Sequence, residues 1–156
     1  PSSAASDVYK RQALGHPADD RILIEQMADG LIAELLVGIQ NDPHFGLVMT
    51  IAGGGTLVEL MADSATVLLP AQPQDLANAL STLKVMKLLS GYRGRAQADL
   101  DELVQTLMKI GAMALALADT LIDMDINPLW VTEHGCIAVD ALIRLGDLDA
   151  LPAHLR

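Results

Sequence analysis

The chain has 156 residues, 51% of them hydrophobic and 3% aromatic, with 20 Asp+Glu against 10 Lys+Arg and a formal charge of −10. An acidic balance of that size lacks the basic face that nucleic acid requires, and the longest apolar stretch, residues 110–118, is far short of the ~20 residues that span a bilayer. The lone Cys136 excludes an internal disulfide and a multi-cysteine zinc site, so the expectation is a cytoplasmic domain with neither a nucleic-acid nor a membrane partner.

Residues 1–12 are small, polar and aperiodic, and they read as a non-native leader. The remainder, 13–156, begins abruptly near Ala13, as a fragment of a larger domain would. Arg21–Met27 is a short apolar run closed by the turn signal Asp29-Gly30. Ala33, Leu35, Val37 and Ile39 then alternate with Glu34, Leu36, Gly38 and Gln40, which predicts a strand with one face in the core. Asn41-Asp42-Pro43 ends it, and Leu47–Ala52 returns. Gly53-Gly54-Gly55 interrupts before two further short strands, Leu57–Leu60 and Ala65–Leu69.

From Pro73 the period changes. Leu76, Ala79, Leu80, Leu83 and Met86 fall at helical spacing, and Ser90–Arg95 breaks that helix. A second helix starts at Asp99, with Glu102 completing a capping-box signature and a buried stripe over Leu100, Leu103, Val104, Leu107, Ile110 and Ala114. It turns apolar on most sides by Ala114–Ala118, so its end is expected to be deeply packed. Two strands follow, Leu121–Val131 and Cys136–Leu142, joined by residues 132–135. Strands, two helices and two strands make an α+β class, an antiparallel sheet packed with two helices.

The last two strands carry the clearest chemistry. A four-residue loop pairs Val131 with Cys136, and the same register sets Asn127 opposite Asp140. An amide oxygen and a carboxylate at that spacing, beside Asp125, form a hard oxygen set suited to Mg²⁺ shared with phosphates. A half-solvated hairpin with a wet polar face gives the same pattern. The Gly53–Gly55 triplet allows backbone N–H groups to approach a phosphate, or is simply a flexible corner. Arg93 and Arg95, between Gly91 and Gly94, form either a loop for an anionic ligand or a solvated connection. His16, His44, His134 and His154 have no nucleophile or metal partner at a useful spacing, and Cys136 has no basic neighbour on its strand. No residue is singled out as catalytic.

Taken in order, Ile24-Glu25-Gln26-Met27, Glu34–Gly38, Asp42–Gly46, Gly53–Leu60, Asp63, Gly91–Gly94, Asp125–Leu129 and Ala138–Ala141 resemble a known series. It is similar to the C-terminal part of the ATP-grasp domain of the ADP-forming (NDP-forming) acyl-CoA synthetases, the acetate–CoA ligase family. Succinyl-CoA synthetase β subunits are similar in the last two motifs. The resemblance covers residues 20–145 and implies the second subdomain of an ATP-grasp fold, with 13–156 an incomplete domain. It implies the interconversion of acyl-CoA, ADP and phosphate with carboxylic acid, CoA and ATP, this segment supplying the Mg²⁺-nucleotide half-site. Under it Asn127 and Asp140 match Mg²⁺ ligands, and Glu25 and Met27 match a hinge strand that meets adenine. Glu34 matches a ribose contact, and Gly53, Gly54 and Gly55 a loop near the phosphates. It also implies a partner domain or subunit that binds CoA and carries a phosphohistidine, which no histidine here matches. A synthetase-like ligand-binding module of a protein lysine acetyltransferase is the alternative.

Overall fold

The structure is a computed structural model that describes residues 28–54 and 63–146. The expectations for residues 1–12, Arg21–Met27 and Leu57–Leu60 lie outside those residues. The described elements, in chain order, are β1 (Leu31–Asp42), β2 (Gly46–Gly53), β3 (Ser64–Leu68), α1 (Pro73–Thr82), α2 (Met86–Leu89), a 3-10 turn (Tyr92–Gly94), α3 (Leu100–Ala116), β4 (Leu121–Thr132), β5 (Gly135–Ala138) and β6 (Ala141–Leu145). No helix among the described residues is long and apolar enough to cross a membrane.

The strands form one antiparallel sheet in the order β3-β2-β1-β4-β5, with β6 also on β4. The alternation along β1 is met in full: Ala33, Leu35, Val37 and Ile39 are buried, and the residues between them are not. They join Met49, Ile51, Met124, Ile126, Leu129 and Val131 from the sheet with Leu76, Leu80, Leu103, Leu107 and Ala114 from the helices in one core. The helices therefore cover one face of the sheet, and the other face is the one available to a ligand. At the β1–β2 turn the Asp42 carboxylate accepts the N–H groups of His44 (2.8 Å) and Phe45 (3.0 Å). Those bonds hold its pKa below the ordinary carboxylate value.

The helical region departs from its periodicity. The run expected to continue from Pro73 past Met86 ends at Thr82, where Leu83 is extended, and restarts at Met86. The cause is distant in sequence: the Asp63 carboxylate takes the N–H groups of Lys84 (2.6 Å) and Val85 (3.0 Å). Helix α3 starts as its cap predicts, with Asp99 accepting from the Glu102 N–H at 2.9 Å. Its C-terminal end is less buried than its composition suggests. Ala114 is fully enclosed, but Met113 and Leu115 remain 42% and 39% exposed, because the core contact continues along one stripe only.

Strand β4 is where the sheet breaks its own rhythm. Leu35 of β1 faces Leu129, whereas Val37 faces Ile126, so β4 carries one extra residue across that interval. The buried set shifts with it, from Leu129 and Val131 to Met124 and Ile126. Pro128, which cannot donate to a ladder, sits in this bulge, and the Asn127–Pro128 peptide is cis.

Leu35, fully enclosed at the centre of β1, tests this packing. Leu35→Ala is expected to lower the unfolding free energy by about 2–5 kcal/mol in denaturant titrations. Leu31→Ala, at a position 45% exposed on the same strand, should stay within about 0.5 kcal/mol. Equal losses would contradict the assignment of the core.

Candidate functional site

Because β1 buries Ala33, Leu35, Val37 and Ile39, the residues between and after them, Glu34, Leu36, Gly38 and Gln40, lie on the face away from the helices. Glu34 stands directly opposite Trp130 of β4, and the indole Nε1–H donates to Glu34 Oε1 at 3.1 Å. The backbone of Glu34 is held as well. Its carbonyl accepts the Gly54 N–H at 2.6 Å. A Cβ on Gly54 would lie 2.7 Å from the Glu34 main chain, so only glycine fits there. The Gly53 N–H donates to the Asp63 carbonyl at 3.0 Å, closing the β2–β3 hairpin just beyond its last ladder pair. The amides of Gly53 and Gly54 are thus engaged by the chain's own carbonyls. What the pair provides is close approach of the chain to Glu34, not two N–H groups turned outward. Glu25, Met27 and Gly55 lie outside the described residues.

The register expected for the last hairpin is present: Val131 faces Cys136, Trp130 faces Ile137 and Leu129 faces Ala138. Beyond it Ile126 faces Ala141 and Asp125 faces Leu142 in the same register, so β5 and β6 are one edge strand interrupted at Val139-Asp140. The interruption lies across from the bulge in β4. There the Asn127 N–H donates to the Asp140 carbonyl, and the Val139 N–H to the Pro128 carbonyl, each at 3.1 Å. Asn127 and Asp140 are therefore neighbours across the pair, and both side chains are exposed. Their oxygens are the donor type that Mg²⁺ takes while keeping water and phosphate in its other positions. Among the described residues no group of three or more His, Cys, Asp or Glu side chains forms a self-contained metal site.

Next to this pair, the face away from the helices forms an open depression of about 510 Å³ lined by Gly38, Gln40, Thr50, Asp123, Asp125 and Arg144, among others. Arg144 forms a fork with Asp123, its Nε 2.8 Å from Oδ1 and its Nη2 on Oδ2. That bond holds the Asp123 carboxyl below its ordinary pKa. Arg144 is thereby committed to a carboxylate, and the depression keeps an acidic wall at Asp125.

The other candidates separate cleanly. His44 and His134 are exposed in turns. Arg93 and Arg95 are exposed, Arg93 with φ 57° and its guanidinium 5.2 Å from the Tyr92 ring centroid. Burial pushes the Cys136 thiol up, with Thr106 only partly offsetting it, which disfavours the thiolate. Trp130 is the residue that sequence reasoning passed over. Its signal was the period-two pattern of β4, but its partner is 96 positions away, and only the β1–β4 register reveals the pair.

Comparison with known proteins adds relatives. A family model for the ATP-grasp domain matches residues 3–145. ADP-forming acetate–CoA ligase I of Archaeoglobus fulgidus is 32% identical over 126 residues, 81% of this chain and 18% of that protein. The β subunit of ADP-forming acetate–CoA ligase II of Pyrococcus furiosus is 32% identical over 114 residues, 72% of this chain and 48% of the subunit. A solved structure of dinucleotide-forming acetyl-coenzyme A synthetase 1 of Ca. Korarchaeum cryptofilum, in complex with coenzyme A and Mg-AMPPCP, matches with a TM-score of 0.69 at 31% identity. That match covers 76% of this chain and 55% of that one. The chain thus spans about half the length of the β subunit and under a fifth of the A. fulgidus protein.

Two expected outcomes follow from the geometry around Glu34 and Asp123. Gly54→Ala should cost about 1–3 kcal/mol of stability by forcing β2 from Glu34. Gly38→Ala, whose Cβ would meet only the tip of Leu36 at 3.9 Å, should cost less than about 0.5 kcal/mol; the reverse order in thermal or denaturant unfolding would contradict this packing. Asp123 has a folded pKa lowered from 3.8, so its contribution is present above that value and lost as pH falls through the folded one. The stability gap between wild type and Asp123→Asn should therefore close on acidification below pH 3.8. A gap that widens there would refute the ion pair's role.

Proposed function

Since the chain belongs to the ATP-grasp family, we propose that it supplies the Mg²⁺-nucleotide half-site of an ADP-forming acyl-CoA synthetase. The reaction interconverts acyl-CoA, ADP and phosphate with carboxylic acid, CoA and ATP. The observation that carries this reading is the Asn127–Asp140 pairing at the break of the edge strand, in a chain whose relatives are ADP-forming acetate–CoA ligases.

In this reading the nucleotide lies on the sheet face away from the helices, where the backbone register and the Glu34 carboxylate are set before it arrives. Glu34 accepts hydrogen bonds from the ribose hydroxyls through its carboxylate. Gly53 and Gly54 let the chain pass close beside Glu34 and border the phosphate end, a role that the glycine at 55 shares in this reading. Glu25 and Met27 serve the adenine. Asn127 contributes a neutral oxygen and Asp140 an anionic one to Mg²⁺. Bound there, Mg²⁺ supplies charge neutralisation on the phosphate oxygens. Asp125, on the face that carries the depression, is suited to orient a water next to those ligands. A backbone hydrogen bond ties the two ligand positions together, so their main chains are held adjacent before the ion binds.

The phosphate-carrying histidine and the CoA site are assigned to another domain or subunit of the same enzyme. The solved relative is described with coenzyme A, Mg-AMPPCP and a phosphohistidine segment pointing towards the nucleotide binding site, so the two functions meet at a nucleotide site in that protein. A cytoplasmic location belongs to the same reading.

The test compares Mg²⁺-ADP binding by calorimetry in the enzyme carrying this domain. Asp140→Asn should weaken binding roughly tenfold or more, since loss of groups that tune a metal site already costs 10–100-fold. Asp101→Asn, exposed in the first turn of α3, should change it less than about twofold. Equal effects of the two substitutions would remove Asp140 from the metal site.

A further inference from the structure

We propose that Trp130 is a positioning residue for the sugar end of the nucleotide, holding the Glu34 carboxylate so that the site prefers a ribonucleotide to its 2′-deoxy counterpart. The inference rests on the reading of Glu34 as the ribose contact and goes beyond it by naming what aims that carboxylate. A glutamate on a strand has three side-chain torsions and would ordinarily sample many orientations. Here both ends of it are fixed. Its carbonyl is bound by Gly54 at 2.6 Å and its Oε1 by the indole N–H at 3.1 Å. Both side chains are partly buried, and they face each other directly across β1 and β4.

The chemistry of the partner matters as much as its position. An indole is a donor only, and it is uncharged. It therefore fixes the carboxylate without neutralising it, as a lysine or arginine would, and without competing for the protons that ribose hydroxyls donate. The indole holds Oε1, and Oε2 makes no hydrogen bond among the described residues. An acceptor whose orientation is set before binding loses less freedom when the ligand arrives. The 2′-hydroxyl is one of the two donors such an acceptor meets, so the benefit is larger for a ribose than for a 2′-deoxyribose. Ile137 stands opposite Trp130 on β5, so the ring is bracketed by strands on both sides and its edge is kept at Glu34.

The experiment measures KM and kcat for ADP and for 2′-deoxyADP in the enzyme carrying this domain, at saturating acyl-CoA and phosphate. Trp130→Phe and Trp130→Tyr both keep an aromatic ring and lose the indole N–H, so failure of one to fold leaves the other. Each is expected to raise KM for ADP about three- to tenfold, the worth of one net hydrogen bond, with kcat changed less than about twofold and a narrowed preference for ADP over 2′-deoxyADP. Glu34→Ala should narrow the preference at least as far, and adding Trp130→Phe to it should change nothing more. If Glu34→Ala removes the preference while both Trp130 variants keep it, the positioning role fails and the ribose reading of Glu34 stands. If Glu34→Ala leaves KM and the preference unaltered, the ribose reading itself fails and the inference falls with it. A Trp130→Phe effect that persists undiminished in the Glu34→Ala background also overturns the inference.

Discussion

Strand β1 lies between β2 and β4, and its uninterrupted two-residue alternation sends Leu35, Val37 and Ile39 to the helices and Glu34, Gly38 and Gln40 to the opposite face. Glu34, Gly38 and Gln40 inherit their place from that strand. Glu34 meets Trp130 in the β1–β4 register that holds from Ala33 to Leu35, and it meets Gly54 just beyond the last β1–β2 pair, Leu35 with Gly53. A slip of one residue in either pairing would exchange the core and ligand faces. The buried leucine, isoleucine and valine side chains of β1 are what make such a slip costly. The apolar alternation that stabilises the sheet is thus the same feature that aims the polar residues.

The one extra residue in β4 is the second constraint. A perfectly regular β4 would keep its ladder unbroken past Asn127, and Pro128 would have no place in it. The bulge absorbs the proline, shifts the buried set, and coincides with the gap between β5 and β6. The Asn127–Asp140 neighbours sit at that irregularity, still tied to each other by a backbone hydrogen bond. Bulges recur where a sheet re-aims side chains, and here the irregularity and the proposed metal ligands occupy the same few residues.

Local pattern made several of these elements legible in the sequence. Period-two alternation defines β1 and the Asp99–Glu102 spacing locates the start of α3. The register that pairs Val131 with Cys136, and so Asn127 with Asp140, is as expected, although the loop is shorter than four residues: Thr132 pairs with Gly135, leaving a two-residue turn. What local pattern missed depends on contacts between distant segments. The helix expected to run past Met86 stops because the Asp63 carboxylate captures the amides of Lys84 and Val85. The apolar end of α3 reads as buried, yet only one stripe of it has a sheet to pack against. The glycine triplet reads as a phosphate loop, yet two of its amides are satisfied within the sheet, a fact set by the β1–β2 and β2–β3 registers. Trp130 carries no motif of its own, and its relevance emerges only from the residue it faces.

The break in the edge strand and the metal it is proposed to hold are tested together by a crystal structure of the enzyme carrying this domain with Mg²⁺ and a non-hydrolysable ATP analogue. One ion is expected there, bound by the Asn127 amide oxygen and an Asp140 carboxylate oxygen at about 2.0–2.1 Å, with phosphate and water oxygens filling its other positions. An ion held elsewhere, with Asn127 and Asp140 both turned to solvent, would contradict it.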